Sequence, residues 1–77
     1  MPRDMDTLDA TGLICPLPVL KLRKRLRALA PGDTIEMRAD DPAAVIDVPH
    51  FCAEAGHELV SHSRAGDADV YVVRKGG

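Results

Sequence analysis

The sequence has no tryptophan, one phenylalanine and one tyrosine among its 77 residues. A platform that stacks nucleobases needs exposed aromatic rings, so direct nucleic-acid binding is not expected. No apolar run approaches the roughly 20 residues of a membrane helix. The first nine residues carry acids and no hydrophobic signal core, which predicts a soluble cytoplasmic protein with no membrane partner. Two cysteines are too few for the disulfide frameworks of small secreted domains, and no Cys-x-x-Cys pair is present. They read as free thiols unless chemistry uses them. At 8.3 kDa the chain reads as one domain, 1–77, too small to enclose a substrate.

Acid is missing from one stretch in particular. Residues 10–32 hold five bases (Lys21, Arg23, Lys24, Arg25 and Arg27) and no carboxylate, while the rest holds five bases against all twelve acids. The net charge of −2 is therefore a basic segment set against an acidic remainder. A basic helix face is ordinarily just solvated, but complementary charge also steers docking. Arg23, Lys24 and Arg27 are the bases expected to meet an acidic partner.

Turn signals at Pro31-Gly32-Asp33, Asp40-Asp41-Pro42, Gly56 and residues 64–67 separate the periodic segments. Residues 5–9 alternate as a short strand. From Pro16 to about Leu29, Val19, Leu22, Leu26 and Leu29 recur at helical steps, with Gly32 beyond as a stop. Thr34 to Ala39 alternates as a strand with one wet face. Asp40 or Asp41 then caps a second helix with Pro42 in its first turn, ending near Ala55. Its inward face would be Ala44 or Val45, Val48, Cys52 and Ala55, and Pro49 should kink or break it. Two more strands, 58–63 and 69–74, complete a β-α-β-α-β-β order. That order predicts an α/β two-layer sandwich, with both helices on one face of a mixed sheet.

The chemistry begins at Gly12-Leu13-Ile14-Cys15-Pro16-Leu17-Pro18. Pro16 and Pro18 suit a first helical turn, whose N–H groups have no partner, so they read as structural residues that rigidify the segment. Cys15 then stands at the positive end of the helix dipole, which should lower its pKa and make it a nucleophile. With no resolving thiol nearby, a lone activated sulfur suits a group carrier better than a dithiol redox catalyst. The opposing reading makes Cys15 a small buried hydrophobe, as free cysteines commonly are.

Cys15-Pro16-Leu17-Pro18, preceded by Leu8-Asp9-Ala10-Thr11-Gly12, resembles the Cys-Pro-x-Pro signature of the TusA (SirA-like) family of sulfur carriers. The resemblance continues through Pro31-Gly32-Asp33, Ala39 to Ala43, Asp47-Val48-Pro49 and Phe51-Cys52 to Arg74-Lys75-Gly76-Gly77. It implies two helices on a four-stranded mixed sheet. It also implies that Cys15 accepts sulfane sulfur as a persulfide from a cysteine desulfurase or other sulfurtransferase and relays it to an acceptor protein. The routes it implies include 2-thiolation of tRNA wobble uridine, sulfur oxidation and molybdenum-cofactor assembly, with selenium handling also open. The alternative is a regulatory or adaptor module whose basic first helix does the binding and whose Cys15 is structural.

Four further features bear on function. Cys52 reads as core, and pairing with Cys15 would need Cα atoms within about 7 Å. His50, Cys52 and His57 match no standard zinc spacing, so neither a metal nor a cofactor is expected. Asp40, Asp41 and Asp47 lie at or near the start of the second helix; the first two read as caps, and the three could also form an acidic docking edge, with Asp41 a partner-binding candidate. The terminal Gly76-Gly77 raises a thiocarboxylate carrier as a rival, against the simpler reading of a flexible tail on a monomer.

Overall fold

The computed structural model describes residues 6–76. Its elements are β1 (Asp6–Asp9), α1 (Leu17–Arg27), β2 (Thr34–Ala39), α2 (Ala44–Ala55), β3 (Glu58–Ala65) and β4 (Ala68–Arg74). The sheet order is β1-β2-β4-β3, with β1 and β2 parallel and both other pairings antiparallel. A parallel pair cannot be closed by a tight turn, so α1 serves as the crossover between β1 and β2. Both helices pack on one face of this mixed sheet, the architecture expected from the sequence.

Alternation in the central strands builds the core floor. Ile35 and Met37 of β2 and Tyr71 and Val73 of β4 are fully buried. Leu22 and Leu26 of α1 and Ala44, Val48 and Cys52 of α2 cover them. Val19 and Leu29 pack at the edge of this cluster, completing the predicted stripe. The second helix keeps Ala44 rather than Val45 inside, and Ala55 is exposed instead of buried.

Several boundaries differ from expectation. Pro16 occupies the N-cap position of α1, and Ala28 and Leu29 close its end with bonds to Arg25 and Leu26, three residues back. The second helix begins at Ala44, two residues beyond Pro42, and no side chain caps it. It runs unbroken through Pro49. The carbonyl that loses its helical donor belongs to Val45, an exposed residue. Gly56 ends the helix in the left-handed conformation, φ 79°, that favours glycine. β3 extends to Ala65 through a register shift between Leu59 and Ser61, leaving only Gly66 and Asp67 in the turn to β4.

The C-terminal segment is tied down rather than free. Lys75 and the 32–33 turn exchange backbone bonds: the Lys75 N–H donates to the Asp33 carbonyl at 2.8 Å, and the Gly32 N–H to that of Lys75 at 2.9 Å. Lys75 Nζ donates to the Leu29 carbonyl at 2.5 Å, and the Gly76 N–H donates to His57 Nδ1 at 3.0 Å. A β-carbon on Gly76 would collide with the backbone carbonyl of Gly56, so only glycine fits there. Met5, in the expected first strand, and Gly77, in the expected tail, lie outside the described residues.

Candidate functional site

Because β1 and β2 run parallel, the loops that follow them emerge at the same end of the sheet. One is the loop carrying Cys15; the other carries Asp40 and Asp41 into α2. The Ala10 N–H donates to the Arg38 carbonyl at 2.7 Å, extending the pairing of β1 with β2 to the base of the Cys15 loop. Asp9 then accepts the Thr11 N–H and hydroxyl at 3.0 and 2.6 Å. Gly12 turns the chain at φ 80°, and its N–H donates to Asp40 Oδ1 at 3.0 Å.

The Cys15 N–H donates to Asp41 Oδ2 at 2.5 Å, and its thiol donates to Asp47 Oδ2 at 2.9 Å. Asp40 and Asp41 therefore hold the sulfur-bearing loop rather than capping α2. Only the Ala43 N–H, ahead of the helix, is also accepted by Asp41, at 3.2 Å. Pro16 and Pro18 lack N–H groups, so Leu17 and Leu20 make the first bonds of the turn, to the Ile14 and Pro16 carbonyls. The Cys15–Pro16 peptide bond is cis.

This environment reverses the expected electrostatics. Cys15 is exposed, as a carrier requires, and not a buried hydrophobe. Its thiol is nonetheless pushed above the ordinary cysteine value. The hydrogen bond to Asp47 is the largest cause, followed by desolvation and the charges of Asp47 and Asp41. Two carboxylates on the thiol and its own N–H outweigh the fractional charge of a helix end that starts two residues later. Cys52 is buried, and its thiol is raised by desolvation alone. Both cysteines are free.

The other predicted residues separate by position. Arg23, Lys24 and Arg27 are exposed along α1. Arg25, by contrast, is engaged at home, bonding Asp6 at 2.9 Å and the Thr7 carbonyl at 2.8 Å. His50 pairs with Glu54 at 3.3 Å and His57 accepts from Gly76, so neither joins Cys52. Among the described residues no three potential ligands converge on a metal position.

Asp47, which the sequence placed only near the start of the second helix and on a possible acidic edge, is the residue that bonds the sulfur. Exposed apolar side chains were missed as well. Six large ones are exposed among the described residues. Ile14, Leu17 and Leu20 surround Cys15 in sequence, and Val45 and Ile46 precede Asp47. The available signal was that these three near Cys15 fall off the 19-22-26-29 stripe. A cavity of about 270 Å³ beside the sulfur is lined by Pro16, Val19, Asp47, His50, Phe51 and Glu54.

Comparison with known proteins fits this geometry. The family model described as "Sulfurtransferase TusA" matches residues 6–75. This chain belongs to the TusA family. A solved SirA-like protein from Desulfitobacterium hafniense superposes with a TM-score of 0.82 at 21% identity, covering 95% of this chain and 100% of that one. At that identity the likeness establishes the shared fold. TusA-family membership carries the general function of sulfur transfer together with sulfur-trafficking partner proteins. Among the described residues of this TusA-family chain, no helix is long and apolar enough to cross a membrane.

Proposed function

We propose that this protein is a single-domain, monomeric sulfur carrier of the cytoplasm in which Cys15 holds sulfane sulfur as a persulfide. The observation that carries the reading is an exposed thiol in the Cys-Pro-Leu-Pro segment, held by Asp41 at its N–H and Asp47 at its sulfur. In loading, the Cys15 thiol gives up its proton and the thiolate attacks the outer sulfur of a donor persulfide. The donor's inner sulfur leaves as a thiolate, which the released proton can neutralise. In unloading, an acceptor thiolate attacks the outer sulfur of Cys15–S–SH, and Cys15 leaves as the thiolate.

The resting pKa gives this cycle a control. The Asp47 contact raises the thiol pKa of the empty carrier and so lowers its thiolate fraction further, which slows exchange with stray disulfides. A partner that brings a cation to Asp41 and Asp47 offsets that shift and raises the thiolate fraction at the moment of encounter. Asp41 thus belongs to the acceptor or donor interface, as do Arg23, Lys24 and Arg27. Gly12, Pro16 and Pro18 shape the pedestal and touch no reacting atom. The donor is a cysteine desulfurase or another sulfurtransferase. The acceptor is a protein of a sulfur-trafficking route such as wobble-uridine 2-thiolation.

Incubation with a cysteine desulfurase and cysteine, followed by intact-mass and peptide mapping, tests the reading. The expected product gains one sulfur atom on Cys15, and Cys15→Ser gains none. Loading that survives Cys15→Ser but disappears on removal of Gly76 and Gly77 would establish the thiocarboxylate rival instead. No adduct with a competent donor would favour an adaptor role.

A further inference from the structure

The furrow between α1 and α2 has two halves that meet at Phe51. The half beside Cys15 is the cavity described above, and it shares Phe51 with a second cavity of about 220 Å³ farther along the helices. Arg23, Arg27, Lys75 and His57 line that second half over Leu26 and Phe51, and among the described residues no carboxylate lines it. Arg23 and Arg27 make no ion pair among the described residues, unlike their neighbour Arg25. Lys75 Nζ is fixed to the Leu29 carbonyl, which positions its charge without neutralising it. His57 accepts the Gly76 N–H at Nδ1, so its remaining proton is on Nε2.

We propose that this furrow is a docking track for an extended acidic segment of the partner protein, with the partner's reacting cysteine at the Cys15 end and its carboxylates at the Arg23/Arg27/Lys75 end. This rests on Cys15 being the reacting sulfur. The occupant follows from charge and spacing. Three uncompensated cations around an apolar floor take carboxylates flanked by an apolar side chain. Along α1, Pro16 to Arg23 spans about 10 Å and Pro16 to Arg27 about 16 Å at the helical rise. An extended chain advances about 3.3 Å per residue, so the carboxylates belong roughly three to five residues from the partner's cysteine. A groove that reads both features discriminates partners by a register that a diffuse basic surface lacks.

Synthetic peptides test the register directly. Each carries one cysteine capped as a thionitrobenzoate mixed disulfide and an internal leucine, with two glutamates placed four and five positions from the cysteine, on either side of it. Cys15 thiolate attacks the peptide sulfur and forms a Cys15–peptide disulfide, while the thionitrobenzoate anion leaves and is read by its colour. The probe's own disulfide supplies the oxidation state, so no other oxidant is needed. Cys15→Ser provides the blank.

At low salt, at least one of the two acidic orientations is expected to react about tenfold faster than its lysine counterpart, in the range of electrostatic steering. It should also outpace a peptide with the same glutamates placed next to the cysteine. The double variant Arg23→Glu/Arg27→Glu should invert the charge preference. Lys21→Glu changes net charge on an exposed position of α1 that lines neither cavity, and should leave the preference in place. Equal rates for acidic and lysine peptides would overturn the proposal, as would loss of the register effect or an equal response to Lys21→Glu. If those results came while Cys15 still loaded from a desulfurase, the docking track would fail and the carrier reading would stand. If Cys15 failed to load, the carrier reading itself would fall.

Discussion

At the scale of single residues, the contact with Asp47 is the largest influence on the Cys15 thiol. Asp47→Asn removes both the charge and the ionic acceptor, so the thiol pKa falls. Alkylation of Cys15 by iodoacetamide at neutral pH should speed up severalfold, with the midpoint of its pH–rate profile moving to lower pH. Asp41→Asn should move the midpoint the same way but less, because Asp41 acts on the sulfur through space and bonds only the N–H. Cys15 itself was legible from the Cys-Pro-Leu-Pro run. The sign of its environment was not, because local reasoning saw the helix and had no access to the carboxylates. Tyr71 makes a second residue-scale case. Its ring is fully buried and stacks on His62 at 4.5 Å, but its hydroxyl has no hydrogen-bond partner among the described residues. Burial and the charges of Asp69 and Asp41 push its pKa up to about 12. A buried hydroxyl without a partner costs about 1–3 kcal/mol, so Tyr71→Phe should leave the fold intact and hold or raise its urea midpoint.

At the scale of elements, the helical and strand periods were readable, and the joints between elements were not. Leu22 and Leu26 lie on the stripe predicted for α1 and are buried; Leu26→Ala should cost about 2–5 kcal/mol by urea denaturation, while Lys21→Ala should change stability by less than about 0.5 kcal/mol. The helix is not broken at Pro49, whose missing N–H leaves without its helical donor the carbonyl of Val45, an exposed residue. The C-terminal segment read as flexible because Gly-Gly carries no periodicity. Its order comes from Gly76 lying against the C-cap of α2 and donating to His57. Gly76→Ala should therefore lower stability by about 1–2 kcal/mol, with loss of amide-exchange protection confined to the C-terminal segment. Burial, then the neighbouring charge of Lys75, lowers the pKa of His57. A lowered histidine pKa contributes stability that is present above pH 6.5, its ordinary value, and is lost as pH falls below that through the folded pKa. His57→Gln should flatten that acid limb of the stability profile.

At the scale of the whole molecule, the segregation of charge becomes a segregation of surfaces. The acid-free stretch 10–32 presents Arg23 and Arg27 to one half of the furrow, while Asp41 and Asp47 stand at its sulfur end. Loading by a donor enzyme should accordingly slow as ionic strength rises from about 0.05 to 0.5 M, where screening shortens to a few ångströms, whereas iodoacetamide, being neutral, should be far less affected. The sequence by itself determined the element order, the apolar stripes, the Cys-Pro-Leu-Pro segment and the basic run, because each is a property of neighbours along the chain. Only the tertiary structure decided the surroundings of the sulfur. The carboxylates that hold Cys15 lie 26 and 32 residues away in sequence, and the furrow joins α1, α2 and Lys75. Parallel pairing of β1 with β2 brings the two loops to one end of the sheet, and Coulomb interactions act across that short space however long the intervening chain.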